Sequence, residues 1–270
     1  MKIEIRAISA FQDNYIWLLS NPTTGSATVV DPGAAEPVIR TLEKEGLTLE
    51  NILITHHHAD HTGGIPELAS RYSPQIHGPG NPAIPGISKP VQEGDRFQLM
   101  GVQVEVIAVP GHTLDHIAFY LPDSDANPNQ PVLFCGDTLF ACGCGRLFEG
   151  TAAQMYASLQ KLAALPAATA VYCAHEYTMA NLQFAMAAEP DNPYLPEHHE
   201  LLTQKLSKTG ISLPSTIAAE LRTNPFLRCH SEGIRKTLST HNLETSSNGT
   251  DELMIFTALR QWKDNFRAAS

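Results

Sequence analysis

Asn51 to His61 reads NILITHHHADH, a short apolar run from Ile52 to Ile54 followed by four histidines and an aspartate between positions 56 and 61. An apolar run of this length, bounded by polar residues, suits a buried strand. Uncompensated polar side chains at the end of such a strand are costly to bury, so this cluster needs a partner. Three other segments have the same form. Val102 to Val109 runs into Pro110, Gly111 and His112; Val132 to Cys135 runs into Gly136 and Asp137; Val171 to Cys173 runs into Ala174 and His175. In α/β proteins, ligands gather beyond the carboxyl ends of the strands, where loops from distant parts of the chain converge. The four strand ends therefore predict a single site.

Further strand-like runs lie at Asn14 to Leu19, Thr28 to Val30 and Ala170 to Cys173, with helical patterns between several of them. The clearest helix is Thr151 to Leu165, opened by Thr151 with Gln154 at capping-box spacing and stopped by Pro166. Strand and helix alternate to about residue 173, the pattern of an α/β sheet covered by helices. Beyond residue 176 only helices are predicted: Tyr177 to Ala188, Glu197 to Lys208, Ser215 to Arg222, Glu232 to Thr240 and Asp251 to Arg267. The expected division is an α/β domain over 1–173 and a helical C-terminal domain over 174–270. Residues 1–172 carry 9 basic and 17 acidic side chains, against 9 and 11 for 173–270, so the acidity sits in the first part. Asp123 to Pro131 reads as a surface loop.

The 270 residues are 43% hydrophobic and 17% charged, a balance that folds rather than remaining disordered. Lys plus Arg is 18 and Asp plus Glu 28, giving a net charge of −10, which would repel a phosphate backbone, so no nucleic-acid partner is expected. No window approaches the roughly 18 apolar residues of a membrane span, and MKIEIRAISA alternates apolar and charged residues where a signal peptide would be uniformly apolar. No membrane partner is expected. Five cysteines, an odd number in a long chain, argue against a disulfide framework and for a reducing compartment, the cytoplasm.

Among the 12 histidines, His56, His58, His61, His112 and His175 join Asp60 and Asp137 in an inventory of seven imidazole and carboxylate donors. Such donors suit Zn, Fe or Mn, with Zn the first expectation. Seven are too many for one tetrahedral ion and suffice for two divalent metal ions if one carboxylate bridges. His57 is read as structural, and His116 as packing near the site. His77, His198, His199, His230 and His241 are read as ordinary surface positions. Cys142 and Cys144 form only a C-x-C, weak as a metal site, and Cys135 and Cys173 read as core residues of buried strands.

These residues resemble the metallo-β-lactamase superfamily, whose signature has the form H-x-H-x-D-H, and the whole chain resembles its glyoxalase II branch, the hydroxyacylglutathione hydrolases. The resemblance extends to GHT at Gly111 to Thr113, CGDTLF at Cys135 to Phe140, GCGRLFEGT at Gly143 to Thr151, HEYT at His175 to Thr178, RTNPFLR at Arg222 to Arg228 and LRQWKDNF ending at Phe266. It implies an α/β fold, an αββα sandwich of two mixed sheets followed by a smaller all-helical C-terminal domain. It implies that His56, His58 and His112 hold one metal ion and Asp60, His61 and His175 a second, with Asp137 bridging beside a hydroxide. Asp60 and Asp137 are thereby the candidate catalytic carboxylates. The implied reaction is hydrolysis of S-lactoylglutathione to glutathione and D-lactate, the second step of methylglyoxal detoxification, by a monomer.

Thioester chemistry agrees with the donor set. Water at a dication ionises near neutral pH, the ions polarise the carbonyl, and a thiol of pKa about 8.5 departs as thiolate with little proton donation. Glutathione carries two carboxylates, so local cations must offset the acidic surroundings. By the resemblance these are Arg146, Arg260 and Lys263, with Tyr177 as a hydroxyl contact. Phe148 stands where some relatives have a substrate-contacting tyrosine, which removes a hydroxyl from the glutathione site, and Asp115 replaces a small residue. Two other readings stay open: a superfamily relative, with the same metals acting on another ester, lactone or phosphodiester or with a single iron in a dioxygenase acting on glutathione persulfide, and a non-catalytic metal-stabilised scaffold.

Overall fold

The computed structural model describes residues 3–122, 130–241 and 251–267, so Asp123 to Asn129 of the expected surface loop lie outside the described residues. The first sheet runs in chain order through β1 (Glu4–Ala10), β2 (Asn14–Ser20), β3 (Ser26–Val30), β4 (Thr48–Leu53), β5 (Gln75–Gly78) and β6 (Lys89–Pro90), antiparallel up to β3 and parallel after it. The second contains β7 (Arg96–Leu99), β8 (Val102–Ala108), β9 (Ile117–Leu121) and β10 (Val132–Gly136). A small hairpin of β11 (Leu139–Phe140) and β12 (Gly143–Cys144) follows, and β13 (Ala170–Cys173) and β14 (Ser215–Thr216) complete the second sheet in the order 14-13-10-9-8-7. Both sheets are mixed.

Period-2 alternation explains how the sheets stack. Along β2, Tyr15, Trp17 and Leu19 enter the core shared with the second sheet. Ile16 and Leu18 enter a separate core under helices α1 (Ala35–Glu45), α2 (Ala59–Thr62) and α3 (Ile65–Tyr72), to which Val38, Leu42, Ile65 and Leu68 contribute. The sheets touch directly, since Trp17 meets Tyr172 edge-on at 4.7 Å and donates from Nε1 to the Cys173 carbonyl at 2.9 Å. Beyond the second sheet, α4 (Ala152–Ala163) supplies Met155, Leu159 and Leu162 to the shared core. The layering is α-β-β-α. As the spacing predicts, Thr151 and Gln154 cap α4 reciprocally.

The remaining helices are α5 (Thr178–Ala188), α6 (Tyr194–Thr209), α7 (Ile217–Thr223), α8 (Glu232–Thr240) and α9 (Glu252–Asn265). Two boundaries differ from the sequence reading for identifiable reasons. Helix α6 starts three residues before Glu197, because Pro196 is tolerated in a first turn whose N–H groups have no intrahelical partner. Ser215 and Thr216, read as helix, pair instead with β13, and Thr216 Oγ1 then caps α7 by accepting from Ala219 N at 3.1 Å. His77 also departs from expectation: it is buried in β5 and stacks on Phe97 at 4.3 Å.

One buried polar knot ties α7 to the β11–β12 hairpin. Fully buried Glu220 accepts from Cys142 N at 2.8 Å, from Asn224 Nδ2 at 3.0 Å and from the Ser215 hydroxyl, while Asn224 Nδ2 also reaches the Gly143 carbonyl at 2.9 Å. Burial pushes the Glu220 carboxyl up to about 7, outweighing those hydrogen bonds. Between the ordinary glutamate pKa, about 4.3, and pH 7 the folded state keeps a proton that the unfolded state releases, so stability falls as pH rises through this window. Glu220→Gln removes that dependence. In denaturant unfolding at pH 5 and pH 8, the variant should gain about 2.5 kcal/mol relative to the wild type on going to the higher pH.

Candidate metal centre

The four strand ends predicted to converge do so, and backbone hydrogen bonds between the sheets are the reason. Ile117 N donates to the Thr55 carbonyl at 2.9 Å, tying β9 to the segment after β4, and Tyr15 N donates to the Ala174 carbonyl at 2.7 Å, tying β2 to the segment after β13. Gly136 ends β10 at φ +47, a conformation that favours glycine, and turns the chain so that Asp137 follows. His116 holds that turn by accepting from Asp137 N at 3.1 Å, and burial pushes its pKa down to about 3, which keeps this acceptor neutral.

All seven expected donors are brought together. Nitrogen atoms of His56, His58 and His112 lie within 4.8 Å of one another, as do ligand atoms of Asp60, His61 and His175. Asp137 stands between the trios. Its Oδ2 is 3.4 Å from His112 Nε2, while its Oδ1 is 3.4 Å from His175 Nε2 and 3.5 Å from His61 Nε2.

Four of the five rings are aimed by their other nitrogen. His61 Nδ1 donates to Asp31 at 3.1 Å, His175 Nδ1 to Asp13 at 2.8 Å, and His112 Nδ1 to the Arg146 carbonyl at 2.9 Å. Thr55 Oγ1 donates to Asp31 at 2.7 Å, so its oxygen is left to accept from His56 Nδ1 at 3.0 Å. Asn14 Nδ2 donates to Asp60 Oδ2 at 3.0 Å. Such contacts fix the tautomer that turns an Nε2 lone pair into a metal site.

This donor set fits divalent cations on the structure's own terms. His58 Nδ1 faces both His56 Nε2 at 3.1 Å and His112 Nε2 at 3.0 Å, yet one nitrogen can carry one proton and serve only one neighbour. Buried His61 Nε2 and Asp137 Oδ1 have no hydrogen-bond partner. Burial lowers the pKa of His56, His58 and His112, leaving them neutral and able to donate lone pairs. Burial alone would lower His61 too, but the carboxylates of Asp137, Asp31 and Asp60 outweigh it and hold it well above its ordinary value, the demand of a site made for positive charge.

A cavity of about 650 Å³ opens from these donors and is also lined by Arg146, Arg260, Lys263, Tyr177 and Phe148. The three expected cations therefore share one space with the metal donors. Their environments differ. Arg146 is largely exposed, whereas Arg260 is 4% exposed and donates from Nη1 to the Cys144 carbonyl at 2.9 Å and from Nη2 to Asp264 at 2.9 Å. Burial and the neighbouring Arg260 charge push Lys263 down to about 8. Tyr177 stacks on His175 at 4.7 Å, and the Phe148 ring lies 5.1 Å from that of His112. All five cysteines are free and buried, with Cys144 lining the cavity.

Sequence reasoning missed Asp31, Asp13, Asn14 and Thr55, which aim the donors. Asp31 was within reach, since the apolar run Thr28 to Val30 ends in it just as the other strand ends deliver His or Asp.

Residues 11–175 match the family described as the metallo-beta-lactamase superfamily, and residues 176–266 the family described as hydroxyacylglutathione hydrolase C-terminus. A hydroxyacylglutathione hydrolase of Chromohalobacter salexigens is 52% identical over 259 residues, covering 96% of this chain and 98% of that one. One from Photobacterium profundum is 49% identical over 265 residues, covering 98% and 100%. The crystal structure of ETHE1 from Myxococcus xanthus has a TM-score of 0.63 at 26% identity, covering 96% of this chain and 99% of that chain.

Gly145 shows how tightly the centre is built. A Cβ there would lie 1.9 Å from the Asp137 carbonyl oxygen and 3.3 Å from His112 Nδ1. Gly145→Ala must therefore displace Asp137 and His112 together, and elemental analysis of the purified variant should find its metal content reduced by half or more.

Proposed function

Because this chain belongs to the hydroxyacylglutathione hydrolases, thioester hydrolases on the metallo-β-lactamase fold, we propose that His56, His58 and His112 hold one divalent ion, that Asp60, His61 and His175 hold a second, and that Asp137 contacts both. The reaction is hydrolysis of S-lactoylglutathione to glutathione and D-lactate. The observation that carries the assignment is the single Asp137 carboxylate, which turns one oxygen toward each trio. Neutral imidazoles with carboxylates favour Zn, and also suit Fe or Mn. Bound there, the ions supply hydroxide at neutral pH and positive charge for the oxyanion that forms on attack.

The chain's own residues do the rest. Asp60 and Asp137 keep the centre charged: the neighbouring His61 imidazole and the Asn14 donor hold Asp60 ionised, and the His61 and His175 imidazoles hold Asp137 ionised, in each case outweighing burial. Arg146, Arg260 and Lys263 give the glutathione carboxylates a cationic end of the cavity, and Tyr177 adds a hydroxyl. The thiolate leaves without a dedicated acid, because its pKa is low for a leaving group. Phe148 presents a ring with no hydroxyl to the same cavity.

We read residues 1–173 as the metal-binding domain and 174–270 as the substrate-binding domain, with His175 at the start of the second reaching the metal centre and Arg146 of the first reaching the substrate end. Every proposed ligand and cation comes from one chain, which supports a monomer as the working unit. Five free, buried cysteines support the cytoplasm, and no helix among the described residues is long and apolar enough to cross a membrane.

The deciding experiment pairs metal analysis with thiol release from S-lactoylglutathione, with and without a chelator. Chelation should abolish turnover and readdition of Zn restore it. Asp137→Ala should lower kcat by roughly a thousandfold and cost at least one ion, given the charge stabilisation such a centre provides; near-normal activity at full metal content would end the two-ion assignment. Buried Arg260 and half-buried Lys263 should separate kinetically. Lys263→Ala should raise KM about tenfold with kcat kept, as loss of a charged contact made equally in ground and transition states requires. Arg260→Ala should raise KM and also lower kcat, because the Cys144 carbonyl loses its donor and the same loop carries the Arg146 carbonyl that aims His112.

A further inference from the structure

Asp115 had no role in the sequence reading, yet its side chain joins three loops that frame the first trio. Its Oδ1 accepts from Thr113 Oγ1 at 2.7 Å and from His57 Nδ1 at 2.9 Å, and its Oδ2 accepts from Asn81 Nδ2 at 2.7 Å. The other ring nitrogen of His57, Nε2, faces Glu149 Oε1 at 3.3 Å, and Glu149 Oε2 accepts from Leu114 N at 2.8 Å. His57 is thereby clasped between two carboxylates on the segments that follow β8 and β12. The ligand atoms of His57, Asp115 and Glu149 would also satisfy the spacing of a cation site, but both imidazole nitrogens are already directed at carboxylates, so the cluster is closed by its own members.

The position of the clasp gives it a consequence. His57 lies between His56 and His58, and Asp115 lies three residues after His112. One carboxylate thus sets the spacing between the two segments that supply the His56–His58–His112 trio. The other trio is aimed by different groups, Asp31 on His61, Asp13 on His175 and Asn14 on Asp60, and none of these bonds involves Asp115. The Asp115 clasp therefore bears on the first trio alone, while Asp31, through Thr55, reaches His56 as well as His61.

We propose that Asp115 is a positioning residue which, acting through His57, sets the affinity of the His56–His58–His112 trio for its ion and leaves the Asp60–His61–His175 trio untouched. The inference rests on the proposed ligand assignment. Groups that orient ligands typically change metal affinity 10- to 100-fold.

The test uses full-length protein loaded with Zn and titrated against a competing chelator, with Asp115→Asn, Asp115→Ala, His57→Ala and His57→Gln. Each variant's Tm in excess chelator shows whether the metal-free fold is intact, and Asp115→Asn, the least disruptive, carries the conclusion if the alanine variant fails to fold. Expected are one ion held as in the wild type and one weakened 10- to 100-fold, with kcat reduced and KM for S-lactoylglutathione within about twofold. His57→Ala should reproduce the effect of Asp115→Ala, and His57→Gln, whose amide can still donate to Asp115, should restore part of the affinity. Equal weakening of both ions, no weakening, or an unaffected His57→Ala would overturn the proposal. A His58→Ala variant that still binds two ions tightly would instead show that the ligand assignment had failed.

Discussion

A carboxylate cannot be buried alone, and Asp137, 7% exposed and facing three imidazole nitrogens at 3.4 to 3.5 Å, makes the rest of the centre necessary. Positive charge must reach it from both sides, and the two trios are the donors that flank it. The same requirement extends outward. Asp31, also buried, answers His61 and the Thr55 hydroxyl, and Thr55 in turn aims His56, so neighbouring donors of different trios share one anionic support. The arrangement is a set of alternating charges and dipoles in which every member is held by another.

The two sheets provide the rigidity this requires. The site lies where strand ends from both sheets are tied by main-chain bonds, at Ile117 to Thr55 and at Tyr15 to Ala174, so relative sliding of the sheets would disturb donors on each. The helical part is connected to the same place through polar groups. Glu220 and Asn224 hold the hairpin that follows Asp137, and Arg260 holds the Cys144 carbonyl just before Arg146. The RTNPF and LRQWKDNF segments, which carry the family resemblance, are in physical terms the clamps that hold the β11–β12 hairpin and the loop after it against the donor cluster.

The site was more legible in the sequence than the fold. Apolar runs ending abruptly in His or Asp identify strand ends whatever the sheet order, which is why all seven donors could be named. The sandwich could not be read the same way. Strand β2 is buried at every position, so its sequence says that both faces are covered without saying by what. Short strands such as β5 and β14 carry too few residues to show a period, and in β14 pairing with a neighbouring edge overrides a helical pattern. Residues such as Asp13, Asn14 and Asp115 act through hydrogen bonds to partners 46 to 162 positions away, and no local spacing can announce those.

The cysteines have a consequence for an enzyme whose product is a thiol. Cys144 lines the cavity that opens from the donor cluster, and its own thiol is pushed above the ordinary range by burial, as are those of Cys135, Cys142, Cys173 and Cys229. Exchange with glutathione disulfide requires a thiolate to attack. Because burial holds all five thiols above their ordinary range, none of them offers a ready thiolate for that exchange.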